Sequence, residues 1–359
     1  MAHLLFVSPV ATKRGGAPNS LVKLLKYLRA DHETVVLMPA LGELASALQT
    51  LGVTCHAMPL RLRSLPSLVR FITRGKFDLI YANGYHYRCA VALLASKLTR
   101  RPFVWHIREV LRDPARLRWL RYATSVVTIS HAVAERVQGF VTADRIYVIP
   151  NGVDLEDFNH DRPSARESLR RILRVPEGAT IVLNVGTICE RKNQLHAIEA
   201  AAEVIAEHPS VAFALMGDFQ DEGYVAALNE RAQQLRLQGK VDLIGFRRDA
   251  GLCLCGADVL LHTAWNEPQG RVILEAMAAR LPVVAYDVGG VSESLVHNET
   301  GFLIPFGDVS GLAQAISSLV AQPDLRQRMG NAGRLRVEGS FTAERTAQRV
   351  NAVISRVLR

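Results

Sequence analysis

Short apolar runs alternate with longer amphipathic segments along the whole chain. Runs such as LLFVS, TVVLM and FDLIYA in the first half, and IVLNV, VAFALM and PVVAY in the second, end in glycine or polar residues. Continuous apolar runs of this length are typical of strands that are buried on both faces of a sheet. Because the intervening segments have helical spacing, the pattern predicts an α/β fold with mainly parallel strands.

A polar segment near the middle of the chain divides this pattern into two parts. A chain of 359 residues exceeds what one hydrophobic core usually serves. The turn 150–152 and the polar stretch 156–166 supply the best boundary, which predicts domains over 1–155 and 156–340. The terminal helices are amphipathic, and the last one, at about 341–359, is long enough to return to the first domain.

Two carboxylates and a helix start lie together in the stretch WNEPQGRVILEAMAARLPVVAYDVGG. Glu267 precedes a proline, which disfavours helical backbone, so we expect its carboxylate in a loop. Glu275 falls in the first turns of a helix that opens just after Gly270. The N–H groups of this helix start, at Gly270, Arg271 and Val272, suit an anion, and the carboxylates can accept hydrogen bonds from the hydroxyls of a polyol. A nucleotide sugar offers both kinds of group.

A glycine turn and two cations complete this predicted pocket. Gly289 and Gly290 follow the strand PVVAY, and their lack of side chains lets backbone approach a ligand closely. Arg191 and Lys192 follow the strand IVLNV and a glycine. Two cations beyond a strand suit the diphosphate of a leaving group, because Arg binds two phosphate oxygens and Lys acts as a point charge. Solvated surface charge is the alternative interpretation of this pair.

The first half offers further candidates at the predicted ends of strands. Gly15 and Gly16 stand between the first strand and a helix predicted to begin at about Leu21, where open α/β sheets bind ligands. His106 ends another strand, at a place where it can meet a sugar hydroxyl or a leaving phosphate. A buried structural histidine is the competing interpretation.

Positive charge is concentrated in the first half. Residues 1–150 contain 21 Lys and Arg against 8 Asp and Glu, whereas acidic residues outnumber basic ones in the rest of the chain. Such a field attracts anions, among them nucleic acid, an anionic membrane surface and a phosphorylated acceptor, although a solvated basic surface without a partner is an equal alternative. The basic segments 61–76 and 112–121 have interleaved apolar residues and are candidate contacts with a membrane or an acceptor. For 61–76 we favour ordinary packing of an amphipathic helix on the sheet.

Composition argues against several other classes of protein. The first residues lack the basic start and cleavage site of a signal peptide, and no apolar run reaches transmembrane length, which indicates a cytoplasmic protein. Five scattered cysteines indicate reduced thiols that pack in cores. The sequence has no carboxylate cluster suited to magnesium, no zinc-ligand spacing and no nucleic-acid-binding motif. We therefore expect no metal, no further cofactor and no nucleic-acid partner.

The glutamate pair resembles the signature of the retaining glycosyltransferases of family four, which have the GT-B fold. In this chain Glu267, seven residues and Glu275 precede the Pro-Val-Val strand and the Gly-Gly turn. The resemblance spans nearly the full chain and is strongest over 181–305. It implies two Rossmann-like domains that face each other across a cleft, with the acceptor bound by 1–155, the nucleotide sugar by 156–340, and the C-terminal helix crossing back to the first domain.

The resemblance also implies a role for each candidate residue. Glu267 is expected to contact hydroxyls of the donor sugar, and Glu275 to hold the ribose hydroxyls of the nucleotide. The remaining implied contacts are Lys192 and Arg191 at the diphosphate, Phe246 and Arg247 at the nucleobase, Gly15 and Gly16 near the diphosphate and acceptor, and His106 at a sugar hydroxyl or the leaving phosphate. The competing interpretation is that Glu267 caps the helix and that Glu275 pairs with a neighbouring arginine.

The chain departs from the family pattern at three places. Thr187 stands where many members have an arginine directly after the glycine, and Ala17-Pro18 stands where an acidic residue often follows the first glycine turn. Gln269 replaces a common aromatic residue, and we expect this position to affect sugar preference.

The implied activity is transfer of a sugar from UDP or GDP to an acceptor hydroxyl with retention of anomeric configuration and without a metal. A glycan or lipid-linked acceptor fits the basic first half, and it would place the protein in the assembly of a cell-surface glycan, a glycolipid or a lipid-linked oligosaccharide, with peripheral contact at the inner face of the membrane. One alternative is another GT-B enzyme, a nucleotide-sugar epimerase or a phosphorylase. The other is a non-enzymatic protein that binds an anionic surface or nucleic acid.

Overall fold

The computed structural model describes residues 1–109 and 117–359. The chain forms two compact units, each with its own parallel sheet. The first unit contains Met1–Gly152 and Thr342–Arg359, and the second contains Val153–Phe341. The first residues of the arginine-rich segment 112–121, up to residue 116, lie outside the described part of the chain.

The first unit has a seven-stranded parallel sheet in the order β3-β2-β1-β4-β5-β6-β7. Its strands are β1 His3–Val7, β2 Glu33–Met38, β3 Thr54–Ala57, β4 Leu79–Asn83, β5 Phe103–Ile107, β6 Ser125–Thr128 and β7 Ile146–Val148. The helices between them are α1 Gly16–Leu28, α2 Glu43–Gln49, α3 Leu65–Gly75, α4 Tyr87–Leu98 and α5 His131–Val137. Separate hydrophobic clusters cover the two faces of this sheet, which explains why its central strands are largely apolar on both faces.

Helix α1 begins earlier than the sequence pattern predicts. It starts at Gly16 rather than at about Leu21. Pro18 lies in its first turn, where a proline costs no hydrogen bond. The side-chain amide of Asn19 donates to the carbonyl oxygen of Gly15 at 2.9 Å, and Gly15 has a φ of 98°. The glycine turn is therefore shorter than expected, and Gly16 belongs to the helix itself.

Helix α3 confirms the packing interpretation of the basic segment 61–76. Pro66 lies at the start of the helix, while Leu68 and Ile72 are fully buried in the core. Leu62, just before the helix, is 66% exposed. The apolar stripe of α3 is thus used by the sheet, and the arginines of the segment face solvent.

The C-terminal helix Ala343–Leu358 packs on the first unit, as the predicted fold class requires. Val350 and Ile354 join the same hydrophobic cluster as Leu21 of α1. Oδ1 of Asn351 lies 2.7 Å from Nε2 of His32. The C-terminal helix therefore covers the same face of the first sheet as α1.

The second unit has a six-stranded parallel sheet in the order β10-β9-β8-β11-β12-β13. Its strands are β8 Thr180–Val185, β9 Val211–Met216, β10 Val241–Gly245, β11 Val259–His262, β12 Val283–Tyr286 and β13 Gly301–Ile304. Its helices are α6 Arg162–Leu173, α7 Gln194–Glu207, α8 Glu222–Gln234, α9 Ala250–Gly256, α10 Arg271–Ala278, α11 Val291–Ser294, α12 Val309–Ala321 and α13 Pro323–Ser340.

These two parallel sheets with helices on their faces confirm the predicted α/β class. The predicted terminal helical region is divided at Phe341 into α13 and the C-terminal helix, and the division coincides with the passage of the chain between the two units. Within residues 1–109 and 117–359, no helix is long and apolar enough to cross a membrane.

Candidate active site

The carboxylate of Glu267 lies among three basic side chains in the second unit. Its Oε2 is 2.5 Å from Nζ of Lys192, 3.6 Å from Nη1 of Arg191 and 3.4 Å from Nε2 of His262. Glu267 itself is only 7% exposed. Burial opposes its ionisation, but the ammonium of Lys192 and the ring of His262 outweigh this and hold the pKa of Glu267 well below its usual range.

Strand order explains why these groups meet. Arg191 and Lys192 follow β8, and Glu267 follows β11, which pairs directly with β8 in parallel. The carboxyl ends of neighbouring parallel strands open at the same edge of a sheet, where α/β proteins bind ligands. The predicted contact between the cations and the pocket of Glu267 is therefore present in the structure.

Backbone and hydroxyl contacts fix the loop that carries the two cations. Oγ1 of Thr263 donates to the carbonyl oxygen of Lys192 at 2.9 Å. The amide of Trp265 donates to the carbonyl oxygen of Arg191 at 3.2 Å, and Nη1 of Arg191 donates to the carbonyl oxygen of Asn266 at 3.0 Å. These bonds tie the loop after β8 to the loop after β11, so the side chains of Arg191 and Lys192 are held in position before a ligand binds.

The glycine turn after β12 is approached by the protein's own backbone. Gly289 has a φ of 56°, and a Cβ atom added there would overlap the carbonyl oxygen of Glu267. The amide of Gly290 donates to that same carbonyl oxygen at 3.0 Å. The sequence predicted close approach of a ligand at this turn, whereas the structure shows that the missing side chain admits the loop of Glu267.

Helix α10 opens at the predicted position and carries Glu275 in its second turn. Gly270 precedes it with a φ of 81°, in the left-handed region that favours glycine. The N-cap residue is Gly270 itself, which has no side chain to cap the helix. Oε1 of Glu275 is 2.9 Å from Nε of Arg271, so Glu275 does pair with a neighbouring arginine, as the competing interpretation expected. Arg271 and Val272 are half-buried in the first turn.

Phe246 and Arg247 stand apart from this cluster. They follow β10, an edge strand that β9 separates from β8. Phe246 is 52% exposed, and the guanidinium of Arg247 binds both carboxylate oxygens of Asp249 at 2.9 and 2.7 Å. The aromatic ring is thus accessible at the sheet edge, and Arg247 is held in place by its acidic neighbour.

The candidates in the first unit lie at the ends of β1, β4 and β5. Gly15 and Gly16 are exposed, and no heavy atom lies within 4 Å of a Cβ atom added at either. The side-chain amide of Asn83 donates to the carbonyl oxygen of Ala17 at 3.2 Å, which ties the start of α1 to the end of β4. The open space at both glycines is compatible with close approach by a ligand.

His106 is completely buried, with Nδ1 2.6 Å from the hydroxyl of Tyr81. Burial and the positive charge of Arg108 hold the pKa of His106 well below its usual range, so the ring is neutral at pH 7. This burial agrees with the competing structural interpretation, but the same ring lies at a strand end beside polar side chains.

Sequence reasoning missed His262, Tyr81 and Arg108. His262 ends the apolar run VLLH, and a histidine at a strand's carboxyl end is the same signal that singled out His106. Burial and the charge of Lys192 lower the pKa of His262. In the part of the chain that the structure describes, no group of three His, Cys, Asp or Glu side chains is arranged to hold a metal ion.

Two family models together account for most of the chain. Residues 14–157 match the model described as Glycosyltransferase Family 4, and residues 165–336 match the model described as Glycosyl transferases group 1. Each model covers the sheet of one unit in large part.

Two named relatives have similar sequence identity to this chain. The lipopolysaccharide core biosynthesis glycosyltransferase LpsE of Rhizobium meliloti is 31% identical over 64% of this chain. An alpha-maltose-1-phosphate synthase of Mycolicibacterium smegmatis is 30% identical over 66% of it. In both cases the match spans 64% of the relative's own length.

A solved structure resembles the whole chain. HepE from Anabaena, crystallised in complex with UDP and glucose, is similar with a TM-score of 0.90 and 27% identity. The alignment covers 99% of this chain and 100% of that one. The glutamate signature, the two parallel sheets and these matches agree, and the chain belongs to glycosyltransferase family four, with the GT-B fold.

Proposed function

We propose that this protein is a retaining, metal-independent glycosyltransferase that moves a sugar from a nucleoside diphosphate to an acceptor hydroxyl. The observation that carries the proposal is the contact of Glu267 with Lys192, Arg191 and His262 at the carboxyl ends of β8 and β11. A buried carboxylate beside two cations can offer oxygen to sugar hydroxyls while the cations accept a departing diphosphate. Family membership supports the same chemistry.

The proposed donor is a UDP-sugar. HepE, which resembles the whole chain, was crystallised with UDP and glucose and with UDP-glucose. Glu275 would accept hydrogen bonds from the ribose hydroxyls, and the exposed ring of Phe246, with Arg247 beside it, would lie near the base.

The proposed work of the cations is to stabilise charge that develops as the sugar leaves. The transition state has oxocarbenium character, and negative charge builds on the diphosphate. Lys192 and Arg191 would bind it together with the N–H groups of the α10 start at Gly270, Arg271 and Val272. Since Lys192 contacts Glu267 at 2.5 Å in this structure, phosphate oxygens and the carboxylate would share its ammonium when donor is bound.

We propose the first unit for the acceptor, with Gly15, Gly16 and His106 near the reacting groups. Its positive charge favours an anionic or lipid-linked acceptor. Exposed arginines before and along α3, together with the exposed Leu62, would meet the headgroups of an anionic membrane at its inner face. Relatives named for lipopolysaccharide core and capsular polysaccharide biosynthesis support an acceptor of the glycan or glycolipid class. The protein would then act in the cytoplasm as a peripheral enzyme.

A two-step experiment tests this function. Thermal unfolding is followed with UDP, GDP and their glucose, N-acetylglucosamine, galactose and mannose conjugates, because a ligand of the native state raises the melting temperature. UDP release is then measured with the stabilising sugar, with and without EDTA, and the anomeric configuration of the product is read by NMR. Stabilisation by UDP compounds and retention are expected. Absence of both stabilisation and UDP release for every donor would overturn the proposal.

The same assay distinguishes a glycosyltransferase from the other enzymes that share this fold. A nucleotide-sugar epimerase would convert the donor with no acceptor and no UDP release, and a phosphorylase would require inorganic phosphate. Either result would replace the transferase activity while leaving the donor pocket in place.

A further inference from the structure

Tyr81 and His106 form a buried polar pair on neighbouring strands of the first unit. Both residues are fully buried, and the phenol oxygen lies 2.6 Å from Nδ1 of the ring. Asn83 pairs in register with His106, and Tyr81 with Val104, so the two side chains point from the same face of the sheet. A buried hydroxyl at this distance from a ring nitrogen requires a proton between the two atoms.

Arg108 decides which atom holds that proton. Its Nη2 lies 3.3 Å from the same Nδ1, its Nε donates to Oδ1 of Asn83 at 2.6 Å, and its Nη1 donates to Oδ1 of Asn151. A guanidinium has donors and no acceptor, so its contact with Nδ1 is favourable only when Nδ1 carries no proton. Tyr81 must therefore donate, and Nδ1 accepts from both partners.

The proton of the neutral ring is then left on Nε2. This atom is buried and makes no hydrogen bond within the described residues. An unsatisfied buried donor is costly, and in a native structure it calls for an explanation, such as a catalytic role or a bound group that completes it.

We propose that Tyr81, which Arg108 constrains to donate, is a positioning residue that stabilises one tautomer of His106, so that Nε2–H is presented as a donor to an oxygen of the bound substrate. The oxygen is a hydroxyl or a phosphate oxygen, the two acceptors that a sugar nucleotide and its acceptor offer. Without Tyr81 the ring loses its shorter donor to Nδ1, and only the contact of Arg108 at 3.3 Å still favours Nε2–H, so the Nδ1-protonated form gains population. In that form an Nε2 lone pair repels the oxygen that Nε2–H would bind. The inference rests on the proposed function for the nature of the substrate, while the tautomer itself is a property of the free protein.

The free protein supplies the first test. In full-length protein labelled with ¹⁵N-histidine, two-bond ¹H–¹⁵N correlations identify which ring nitrogen is protonated, and the variant His106→Gln assigns the signal. We expect a protonated Nε2 and an unprotonated Nδ1 at pH 7. Tyr81→Phe should raise the share of the Nδ1-protonated form. A protonated Nδ1 in the wild-type ring would overturn the proposal, and this result does not depend on whether Tyr81→Phe folds.

The chain contains a matched control for the spectrum. The hydroxyl of Tyr286 lies 2.8 Å from Nδ1 of His196 in the second unit, with the rings at a similar T-shaped angle. Tyr286→Phe removes the same kind of bond and should shift the His196 signal while leaving that of His106 unchanged. Equal changes at His106 in both variants would indicate a general loss of structure and would contradict a local role of Tyr81.

Turnover supplies the second test. A glutamine at position 106 places an amide N–H near the position of Nε2, and it has no tautomer to fix. Tyr81→Phe should lower kcat about tenfold in the wild-type background, the equivalent of one neutral hydrogen bond, and should have little effect in His106→Gln. Equal losses in both backgrounds would show that Tyr81 acts only through packing.

Separate substrate measurements identify the oxygen that Nε2–H binds. Loss of UDP affinity in His106→Asn, compared with His106→Gln, would indicate a phosphate oxygen, whereas a change confined to the sugar conjugate or to the acceptor's KM would indicate a hydroxyl. If no donor turns over but the expected tautomer is found, the proposed function fails and the assignment of Tyr81 stands.

Discussion

Nζ of Lys192 lies 2.5 Å from Oε2 of Glu267, and both side chains are largely shielded from solvent. The two groups come from loops after different strands, so this contact joins β8 and β11 at the edge where a ligand would bind. Each partner makes the burial of the other tolerable, since an unpaired buried charge is costly. The same ammonium is also the group proposed to meet the departing diphosphate.

Replacing Lys192 should affect stability and turnover by separable routes. Lys192→Met leaves Glu267 with the more exposed Arg191 as its only fully charged partner among the contacts described here. Removing one partner of a buried pair costs about 3–5 kcal/mol, and loss of charge stabilisation at a leaving group lowers kcat roughly 10²–10³-fold. The first effect is measured by thermal unfolding and the second by UDP release.

A double variant distinguishes these two effects. Lys192→Met combined with Glu267→Gln removes the orphaned carboxylate charge, so the melting temperature should recover while turnover stays low. Wild-type turnover in Lys192→Met would contradict the proposed role of the cation. Failure of the double variant to regain stability would contradict the view that the pair is held by mutual charge.

Glu275 is predicted to hold the ribose even though it pairs with Arg271 in this structure. Glu275→Ala should weaken UDP binding about tenfold or more, because hydrogen bonds to a charged acceptor contribute more than neutral ones. Isothermal titration with UDP measures this. The matched control is Glu338→Ala, since Oε1 of Glu338 pairs with Nε of Arg334 at 2.6 Å and the same helical spacing. Unchanged UDP affinity in both variants would leave Glu275 as a surface ion-pair partner only.

The sequence was sufficient for the fold class and for the prediction that Glu267 lies near Arg191 and Lys192. Apolar runs indicated buried parallel strands, and Pro268 and Gly270 marked the loop and the helix start that the structure contains. These features depend on local backbone preferences, which a single sequence records.

The partners of Glu267 and His106 depend instead on strand order and register. His262, at the end of β11, contacts Glu267 because the loop after β11 brings the carboxylate back to its ring. Tyr81 contacts His106 because β4 and β5 are neighbouring strands. Gly289 was expected to face a ligand and instead admits the backbone of Glu267. The periodicity within one segment does not record a contact between segments, so these features are defined only by the folded structure.

The contact at Gly289 predicts that a single methyl group will displace the loop of Glu267. Gly289→Ala combines left-handed strain of about 1–2 kcal/mol with overlap against the carbonyl oxygen of Glu267. Gly307 also has positive φ, but nothing lies within 4 Å of a Cβ atom added there, so Gly307→Ala isolates the strain. We expect Gly289→Ala to lower the melting temperature further and to reduce turnover, with Gly307→Ala retaining turnover. Equal behaviour of the two would show that the close approach is unimportant.

Exposed arginines of α3 are predicted to contribute to membrane contact. Arg70→Glu with Arg74→Glu should weaken binding to vesicles of anionic phospholipid, measured by flotation, and at about 1 kcal/mol per arginine the loss is roughly thirtyfold. Arg345→Glu with Arg349→Glu is the matched control, because these exposed residues have the same spacing on the C-terminal helix, which packs on the other face of the sheet. Equal binding by both double variants, or equal binding to neutral vesicles, would contradict a membrane role for α3.

Acid should destabilise the protein below about pH 6.5, because burial lowers the pKa of His106 and His262 from the usual histidine value. Between the usual value and the lowered native value, the unfolded chain binds protons that the native rings do not. Stability is therefore fully present above the usual value and falls as the pH falls toward the native pKa. The midpoint of urea unfolding should decrease from pH 7 to pH 5, and His106→Gln should reduce that decrease because it removes one such ring. His160→Gln, at an exposed histidine, supplies the control. An identical pH dependence in His106→Gln and wild type would show that His106 is protonated as readily in the native state as in the unfolded chain, contrary to its burial beside Arg108.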